Sequence, residues 1–272
     1  MLATMLNLAH TRLGMTAQKI SKIRNWYMFT RPGRKLNLSA NLAKVKFRDG
    51  LVIFVRPKTH DLFIVYEVFL ESAYRAMEIV LSEVQGPVQV VDLGAHIGCF
   101  SLRALRARSD VFVDCYEPSA DNRAVLNRNL LTNGFDKDRV RVFEEAAGGE
   151  DRVDQFYHDP SITVDSSLYG TGVGVKVPVA SLKTVLKRSK YPVAILKIDI
   201  EGAEYELLET STKEDWDQVF CVMAEVHSDP SGKSSQEAWL LKMRDTEVVN
   251  SNETIRYTDL HLNLRCRIVA AG

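Results

Sequence analysis

The chain has 272 residues, 46% of them hydrophobic, which is enough to bury the core of one domain with a small appendage. Thirty-five basic and thirty-five acidic side chains give a formal net charge of zero. Enzymes that act on nucleic acid usually carry a basic excess, so we expect no DNA substrate and disfavour RNA. No stretch of the sequence approaches the roughly 18 apolar residues of a membrane span.

The first 57 residues are predicted to form an extension to the main domain. Residues 1–30 carry apolar residues at helical spacing with basic residues between them, which predicts a helix. We expect this helix to dock on its own domain or on a partner subunit, and a peripheral membrane contact is the alternative. Residues 47–55 then predict a β-hairpin that turns at an Asp-Gly pair. The boundary therefore falls between residues 1–57 and a main domain of residues 58–272.

The main domain is predicted to be an α/β fold with a doubly wound, Rossmann-like sheet. Residues 61–82 predict one helix that leads into the sheet. From residue 88 to residue 227, apolar strand patterns alternate with helical patterns, which is typical of parallel strands joined by helices. Residues 163–178 are rich in glycine and serine, which predicts a loop, and residues 163–174 within it are expected to form either a mobile substrate loop or an ordinary exposed excursion. We expect seven strands, mostly parallel, with a closing antiparallel hairpin formed by Thr254–Tyr257 and Leu262–Ala270.

The most informative motif follows the first core strand. The apolar run Val88–Val91 ends in Asp92, and Gly94 and Gly98 lead into a helical pattern. Such a strand-to-helix turn exposes unpaired N–H groups that hold an anionic group, and glycine lets a ligand approach the backbone. The loop lacks the third glycine of a pyrophosphate-binding loop. It suits S-adenosylmethionine, with its ammonium on Asp92 and its carboxylate at the helix start, and the alternative is a simple tight turn.

A second acid ends the next strand pattern. Residues 111–116 are strand-like, and Glu117 and Pro118 follow, with Glu117 twenty-five residues after Asp92. In doubly wound folds an acid roughly 20 residues after the glycine loop binds the ribose hydroxyls of a nucleotide. We therefore expect Glu117 to accept hydrogen bonds from both hydroxyls. The alternative is a solvated carboxylate at the end of a strand.

Three acids follow a third apolar strand pattern. Residues 193–198 are typical of a strand at the centre of a parallel sheet, and Asp199, Glu201 and Glu204 come directly after them. Because ligands bind beyond the carboxyl ends of such strands, we expect Asp199 to face the same crevice as Gly94. The alternative places these acids in the first turn of a helix, where they favour the helix dipole.

Together these motifs resemble the FkbM-type methyltransferases, from about residue 45 to residue 230. The most specific part is Lys-Ile-Asp-Ile-Glu-Gly-Ala-Glu at residues 197–204, joined by Asp-Leu-Gly-Ala-His-Ile-Gly at residues 92–98 and by the Glu-Pro pair. The resemblance implies S-adenosylmethionine as cofactor, the doubly wound methyltransferase fold, and methylation of hydroxyl groups on sugars and natural products. His96 departs from the family, in which many members carry Asn.

The resemblance and the motifs together predict the cofactor site and the acceptor. We expect a small molecule or a glycan as the methyl acceptor. The expected cofactor-binding residues are Asp92, Gly94, Ala95, His96, Gly98, Glu117, Pro118, Ala146 and Asp199.

The catalytic groups are expected at the ends of the last two parallel strands. A sugar hydroxyl is a poor nucleophile near neutral pH, so a general base helps methyl transfer. His227 is the first candidate, because it follows the fifth strand pattern and imidazole has a suitable intrinsic pKa. Glu225 would orient His227, and Asp199 would lie near both. The alternative makes His227 an ordinary loop histidine.

Other functions are compatible with the sequence. Asp199, Glu201 and Glu225 carry oxygen ligands that magnesium accepts, but nothing in the sequence fixes a metal geometry, so no metal is predicted. A second class of function is a non-catalytic S-adenosylmethionine sensor or assembly subunit that keeps the pocket. A third is methylation of a protein or an RNA, and the neutral charge weakens the case for RNA.

The cysteines and the N-terminus indicate a cellular location. No pair of cysteines has the spacing of a zinc site, so we expect free thiols in a reducing compartment and a cytoplasmic protein. The apolar start is interrupted by His10 and Arg12, which is not typical of a signal sequence. The four cysteines are Cys99, Cys115, Cys221 and Cys266.

Overall fold

The structure of the protein is a computed structural model that describes residues 21–30, 42–57, 59–70, 74, 76–135, 137–159, 162–169, 174–245 and 261–264. The predictions for residues 1–20, Thr254–Tyr257 and Cys266 lie outside these residues. The helices are α1 (Tyr27–Thr30), α2 (Asp61–Leu70), α3 (Ala76–Glu83), α4 (Cys99–Ala107), α5 (Ala120–Thr132), α6 (Leu182–Arg188), α7 (Glu204–Thr210), α8 (Lys213–Trp216) and α9 (Gln236–Asp245). The strands are β1 (Ala43–Lys46), β2 (Val52–Val55), β3 (Val88–Leu93), β4 (Val111–Tyr116), β5 (Val140–Phe143), β6 (Ala146–Gly148), β7 (Arg152–Asp159), β8 (Ile162–Ser167), β9 (Gly174–Ser181), β10 (Val193–Ile198), β11 (Val219–Glu225) and β12 (His261–Leu264).

A six-stranded sheet forms the centre of the fold, in the order β12-β11-β10-β3-β4-β5. The strands from β11 to β5 run parallel, and β12 is antiparallel to β11. The predicted doubly wound α/β fold is therefore confirmed, with six strands in the described part of the chain where seven were expected. β12 is the described strand of the predicted C-terminal hairpin.

β3 and β10 lie side by side in the middle of this sheet, and every residue of both strands is buried. From β3 the chain continues to β4 and β5 on one side, whereas β10 is followed by β11 on the other side. Open α/β sheets bind ligands at such a switch point, beyond the carboxyl ends of the strands. The functional site is therefore expected among the residues that follow Leu93 and Ile198.

Capping residues in the sequence set the start of several helices. The side chain of Ser119 accepts a hydrogen bond from the N–H of Asn122 and starts α5, and Ser181 accepts one from the N–H of Thr184 at the start of α6. α4 differs, because it starts after Gly98 with no side-chain cap. The first turn of α4 is therefore available to a ligand group at the switch point.

The predicted N-terminal hairpin is confirmed, and it packs on the main sheet. β1 and β2 pair antiparallel, with Lys46 opposite Val52, and Gly50 turns the chain with φ 93°. One hydrophobic cluster contains residues of the hairpin together with residues of β3 and α4, including Ile23, Phe47, Ile53, Val90 and Leu102. The hairpin therefore shares its core with the main domain.

Asn129 of α5 and Asn133, the residue that follows α5, pair with the backbone of β2. Asn129 accepts from the N–H of Phe54 at 2.7 Å and donates to its carbonyl at 3.2 Å, and Asn133 does the same for Val52 at 3.0 and 2.7 Å. A side-chain amide carries one donor and one acceptor group, so each asparagine replaces a residue of a neighbouring strand. The edge of β2 that faces α5 is therefore closed by side chains.

Three predictions about local structure were wrong. Residues 163–178 contain strands of a second, four-stranded sheet in the order β6-β9-β7-β8, where a loop was expected. Residues 61–82 form two helices, α2 and α3, with Tyr74 in a turn between them. Residues 21–30 are not one helix, because Ile23 forms a bridge with Phe47 before the single turn of α1 begins.

Two predictions that bear on location are tested by the fold. Within the described residues, no helix combines the length and the apolar character that a membrane span requires. Cys99, Cys115 and Cys221 are buried free thiols, as expected.

Candidate active site

The loop between β3 and α4 contains three residues with positive φ angles, and its contacts with neighbouring strands depend on this conformation. Gly94, His96 and Gly98 have φ values of 77°, 50° and 82°, and the N–H groups of Gly94 and Ala95 both donate to the carbonyl of Tyr116 at 3.0 Å. A Cβ added at Gly94 would overlap the carbonyl oxygen of Asp199. Glycine was expected at this position so that a ligand could approach the backbone. In the structure, glycine is required because the carbonyl of Asp199, just after β10, lies too close for any side chain.

Glu117 is buried at the end of β4 and is bonded to this loop. One carboxylate oxygen accepts from the N–H of His96 at 2.8 Å, and the other accepts from the N–H of Ser119 at 2.8 Å and from the amide of Asn122 at 3.2 Å. Burial raises the pKa of Glu117, and these hydrogen bonds oppose the effect. The carboxylate is therefore fixed next to the loop, and its expected role as the ribose acceptor stays a prediction.

Lys197 occupies the space between the two central strands. Its ammonium lies 3.3 Å from Asp92 and 3.0 Å from Asp199, and it donates to the carbonyl of Gly94 at 2.7 Å. Burial would lower the pKa of Lys197, but Asp199 and Asp92 outweigh it and raise the pKa. The sequence analysis assigned no role to Lys197, although a lysine within an apolar strand was a visible signal.

Asp92 lies beneath the loop and is fully buried. One of its oxygens accepts from the hydroxyl of Ser101 at 2.5 Å, and the other faces Lys197. The predicted partner of Asp92 was the ammonium of a ligand, whereas the ammonium beside it in the structure is that of Lys197. Asp92 therefore supports the loop from below.

A second cluster on the N-terminal side holds the ring of His96. Arg56 forms two side-chain hydrogen bonds with the buried carboxylate of Asp61, both at 2.9 Å, and its guanidinium also lies 3.2 Å from Nε2 of His96. Burial lowers the pKa of His96 to about 4, against the opposing effect of Asp61. The ring is neutral at pH 7, so Nε2 accepts from Arg56 and the proton lies on Nδ1. Sequence reasoning did not assign Arg56 or Asp61 to the site.

Four carboxylates surround His227 at the edge of the crevice. Nδ1 lies 2.9 Å from Glu204, and Nε2 lies 3.3 Å from Glu201, 3.9 Å from Glu225 and 4.0 Å from Asp199. Four of these side chains are each 26% exposed and therefore reach solvent, and they are Asp199, Glu201, Glu225 and His227. We call these four residues the rim cluster. The structure thus brings together the three predicted catalytic residues.

The acids change the charge state of His227. Burial would lower the pKa of His227, but Glu204, Glu201 and Asp199 raise it to about 10. Burial also raises the pKa of Glu201 to about 8, against the opposing effect of His227. His227 is therefore an imidazolium near neutral pH in this state, whereas the sequence analysis started from the ordinary pKa of a histidine, and the role of His227 as the base stays a prediction.

The remaining predicted residues lie around this centre. Pro118 follows Glu117, and its carbonyl accepts from Arg123 at 2.6 Å. Ala146 is buried at the start of β6. It belongs to a small apolar cluster that also contains Ala203, two residues after Glu201 in the chain. Ala146 therefore lines the second sheet close to the rim cluster.

The chain is similar in sequence to known methyltransferases. Residues 92–248 match the family described as the methyltransferase FkbM domain, which is more than half of the chain. The chain is 26% identical to methyltransferase sdnD of Sordaria araneosa over 74% of this chain and 87% of that protein. It is 27% identical to the 31-O-demethyl-FK506 methyltransferase FkbM of Streptomyces tacrolimicus, over 73% of this chain and 87% of that protein.

Among solved structures, methyltransferase FkbM from Methylobacillus flagellatus KT matches with a TM-score of 0.41 and 17% identity, over 66% of this chain and 40% of that one. A similarity at this level carries no weight for the function. The family match covers the glycine loop, Glu117 and the whole rim cluster, and it starts at Asp92. The chain therefore belongs to the FkbM methyltransferase family.

Proposed function

We propose that this methyltransferase uses S-adenosylmethionine to methylate a hydroxyl group of a small-molecule acceptor, such as a sugar, a glycan or a natural product. The observation that carries the proposal is the rim cluster, which sets several proton-accepting carboxylates beside the glycine loop at the switch point. The curated relative whose name describes an O-demethylated substrate supports an oxygen acceptor. A cytoplasmic location is part of the proposal, and the free buried thiols support it.

The residues present fit the proposed cofactor. The uncapped first turn of α4 offers N–H groups to a carboxylate, and the fixed carboxylate of Glu117 is placed to accept from ribose hydroxyls. The loop of residues 94–98 would hold the cofactor between these two groups. When bound, S-adenosylmethionine supplies a methyl group that is activated by a positively charged sulfur. Asp92 and Lys197 would not contact the cofactor in this arrangement. Their ion pair, with the hydrogen bond from Lys197 to the carbonyl of Gly94, holds the loop against the end of β10.

The protein's part in the reaction is to align the acceptor and to receive its proton. In-line transfer requires the acceptor oxygen to be held at a short distance and a fixed angle, which the residues around the rim cluster would have to supply. As the acceptor oxygen forms its bond to the methyl carbon and the bond from that carbon to sulfur breaks, the hydroxyl proton passes to a carboxylate of the rim cluster. Asp199 and Glu225 stay our candidates for catalytic residues, and His227 acts by holding the neighbouring carboxylates in place.

A transfer experiment tests this function. The purified full chain is incubated with S-adenosylmethionine that carries a labelled methyl group and with a panel of hydroxylated acceptors, and the product is identified by mass spectrometry. We expect the label on an oxygen of a small molecule or a glycan. Label on a nitrogen, on a protein or on RNA would overturn the proposed acceptor class. Binding of S-adenosylmethionine with no transfer to any acceptor would favour a non-catalytic sensor.

A further inference from the structure

We propose that Asp199, Glu201 and His227 bind one divalent metal cation at the rim of the crevice. No metal was expected from the sequence, because nothing in the sequence fixes a metal geometry. The catalytic meaning of the cation depends on the proposed function. Cation binding itself does not, since it can be measured without an acceptor or a methyl donor.

The spacing of the three side chains suits ligands of a single ion. One ligand atom from each of Asp199, Glu201 and His227 lies within 4.8 Å of the other two. Among the described residues, these three therefore have the spacing of side chains that share a metal ion. Nε2 of His227 is 3.3 Å from Glu201 and 4.0 Å from Asp199. Bonds of about 2.1 Å to one cation separate neighbouring ligand atoms by about 3.0 to 3.5 Å. Small side-chain rotations therefore bring the atoms to coordination distance.

The histidine is oriented from outside the proposed ligand set. Glu204 is fully buried and accepts from the N–H groups of Ile200 and Gly202 at 3.0 and 2.8 Å, which fixes its carboxylate. Its oxygen faces Nδ1 of His227 at 2.9 Å, so that Nε2 points towards Asp199 and Glu201. Histidines that bind metals almost always donate their other N–H to such an outer carboxylate. This arrangement is an observation independent of the acids that would ligate the ion.

The charges around His227 also favour a cation. Within the described residues, four carboxylates lie beside the cationic side chains of Lys197 and His227, and these are the carboxylates of Asp92, Asp199, Glu201 and Glu204. Buried carboxylates that outnumber their cationic partners destabilise one another. A divalent ion at Nε2, which displaces the imidazolium proton, would reduce this excess.

The ligand types indicate the class of ion and its use. One imidazole nitrogen with two carboxylates suits a first-row divalent ion such as Mn²⁺ better than Mg²⁺, which prefers oxygen ligands alone. Three protein ligands leave coordination positions free, and the exposed side of the rim cluster faces the crevice. An acceptor hydroxyl could occupy such a position. Glu225 lies 3.9 Å from Nε2 of His227, so it would then lie beside the ion and receive the proton of the acceptor hydroxyl.

Titration with Mn²⁺ tests the site. The full chain is freed of metal with EDTA, and free Mn²⁺ is followed by electron paramagnetic resonance as the protein is added. We expect one Mn²⁺ per chain, and an affinity at least about tenfold lower in both Glu201→Gln and His227→Gln. Glu209→Gln is the matched control, because Glu209 is an exposed acid on the neighbouring helix α7, and it should bind Mn²⁺ like the parent.

Two outcomes would overturn the cation site: no Mn²⁺ binding up to millimolar concentration, or equal affinity in the parent and in both ligand variants. Binding of S-adenosylhomocysteine by the EDTA-treated protein is measured in parallel by calorimetry. If it binds and Mn²⁺ does not, the cation site is wrong and the proposed function stands. If Mn²⁺ binds and S-adenosylhomocysteine does not, the cation site stands and the proposed function fails.

Discussion

Lys197 shows how one buried side chain can join the two halves of a doubly wound sheet. It starts on β10 and donates a hydrogen bond to the carbonyl of Gly94, which follows β3, and the same ammonium forms ion pairs with Asp92 and Asp199. The side chain of Asp92 is fully buried and that of Asp199 is 26% exposed, so loss of this ammonium would leave two poorly solvated carboxylates without it. The geometry of the loop and the position of Asp199 are therefore coupled through one residue.

Replacing Lys197 by Met should destabilise the fold strongly. The two carboxylates would lose their counter-ion, and breaking a buried ion pair from one side costs about 3–5 kcal/mol in the free energy of unfolding. Urea denaturation followed by circular dichroism measures this loss. Lys183→Met is the control, because Lys183 is exposed on α6. An equal midpoint for Lys197→Met and the parent would contradict the importance of the pair.

Glu117→Gln should weaken cofactor binding. A glutamine amide cannot accept at both of its terminal atoms, so the bonds to the N–H groups of His96 and Ser119 cannot both be kept. We expect the affinity for S-adenosylhomocysteine to fall by about 1–3 kcal/mol in calorimetry, with Glu150→Gln unchanged as the exposed control. Unchanged affinity would remove Glu117 from the binding site.

The charge on His227 predicts a pH dependence of stability in the metal-free protein. Its pKa is raised from the ordinary 6.5 to about 10 by the surrounding acids, so the stabilisation is complete below pH 6.5 and is lost as the pH rises towards 10. The raised pKa of Glu201, about 8, acts in the same direction over a lower range. Urea midpoints in EDTA should fall between pH 6.5 and 10, and less so for His227→Gln. A flat profile in the parent would contradict this.

At the scale of elements, α5 anchors the N-terminal hairpin to the glycine loop. Asn129 bonds to both backbone groups of Phe54 and also donates to the carbonyl of Ile97 within the loop at 2.9 Å. One fully buried amide therefore links β2 to the residues that would hold the cofactor. Asn133, one turn later, bonds to β2 at Val52 and is partly exposed.

Asn129→Ala should cost more stability than Asn133→Ala. The first substitution leaves three backbone groups in a buried place without their partner, and each such group costs about 1–3 kcal/mol. The groups left by Asn133→Ala lie nearer to water, which replaces part of the lost bonds. Thermal unfolding compares the two variants, and S-adenosylhomocysteine affinity should fall only in Asn129→Ala. Equal effects on both measurements would contradict the link to the loop.

Most elements of the main sheet were readable from the sequence, because β3, β4, β10 and β11 are short apolar runs followed by glycine or acids. The second sheet was missed, since glycine and serine around residues 163–174 indicate a loop. The alternation of Val175, Val177 and Val179 was a usable strand signal, and the last two of these valines are buried in the structure. The acids of the site were predicted, but the charge on His227 depends on distances that no sequence spacing contains.

At the scale of the whole molecule, the N-terminal extension and the main domain share one hydrophobic cluster. Ile23, Phe47 and Ile53 belong to the same cluster as Val90 of β3. Arg56, just after β2, holds both Asp61 and His96. The extension thus contributes to the core and to the surroundings of the glycine loop.

A chain that begins at residue 58 should therefore fold poorly. It lacks the hairpin, so the apolar surface of α5 and the amides of Asn129 and Asn133 would be exposed to water. We expect no cooperative thermal transition by circular dichroism and no binding of S-adenosylhomocysteine. A cooperative transition at the midpoint of the full chain would instead support residues 58–272 as an independent domain.

The overlap that a Cβ at Gly94 would have with the carbonyl of Asp199 also affects how variants of this enzyme are designed. Any side chain at position 94 would push the first turn of the loop away from β10, whatever acceptor or cofactor is present. Loss of activity after such a substitution would therefore report a displaced backbone and would give no information about ligand preference. Libraries that aim to change acceptor selectivity should therefore keep this glycine constant.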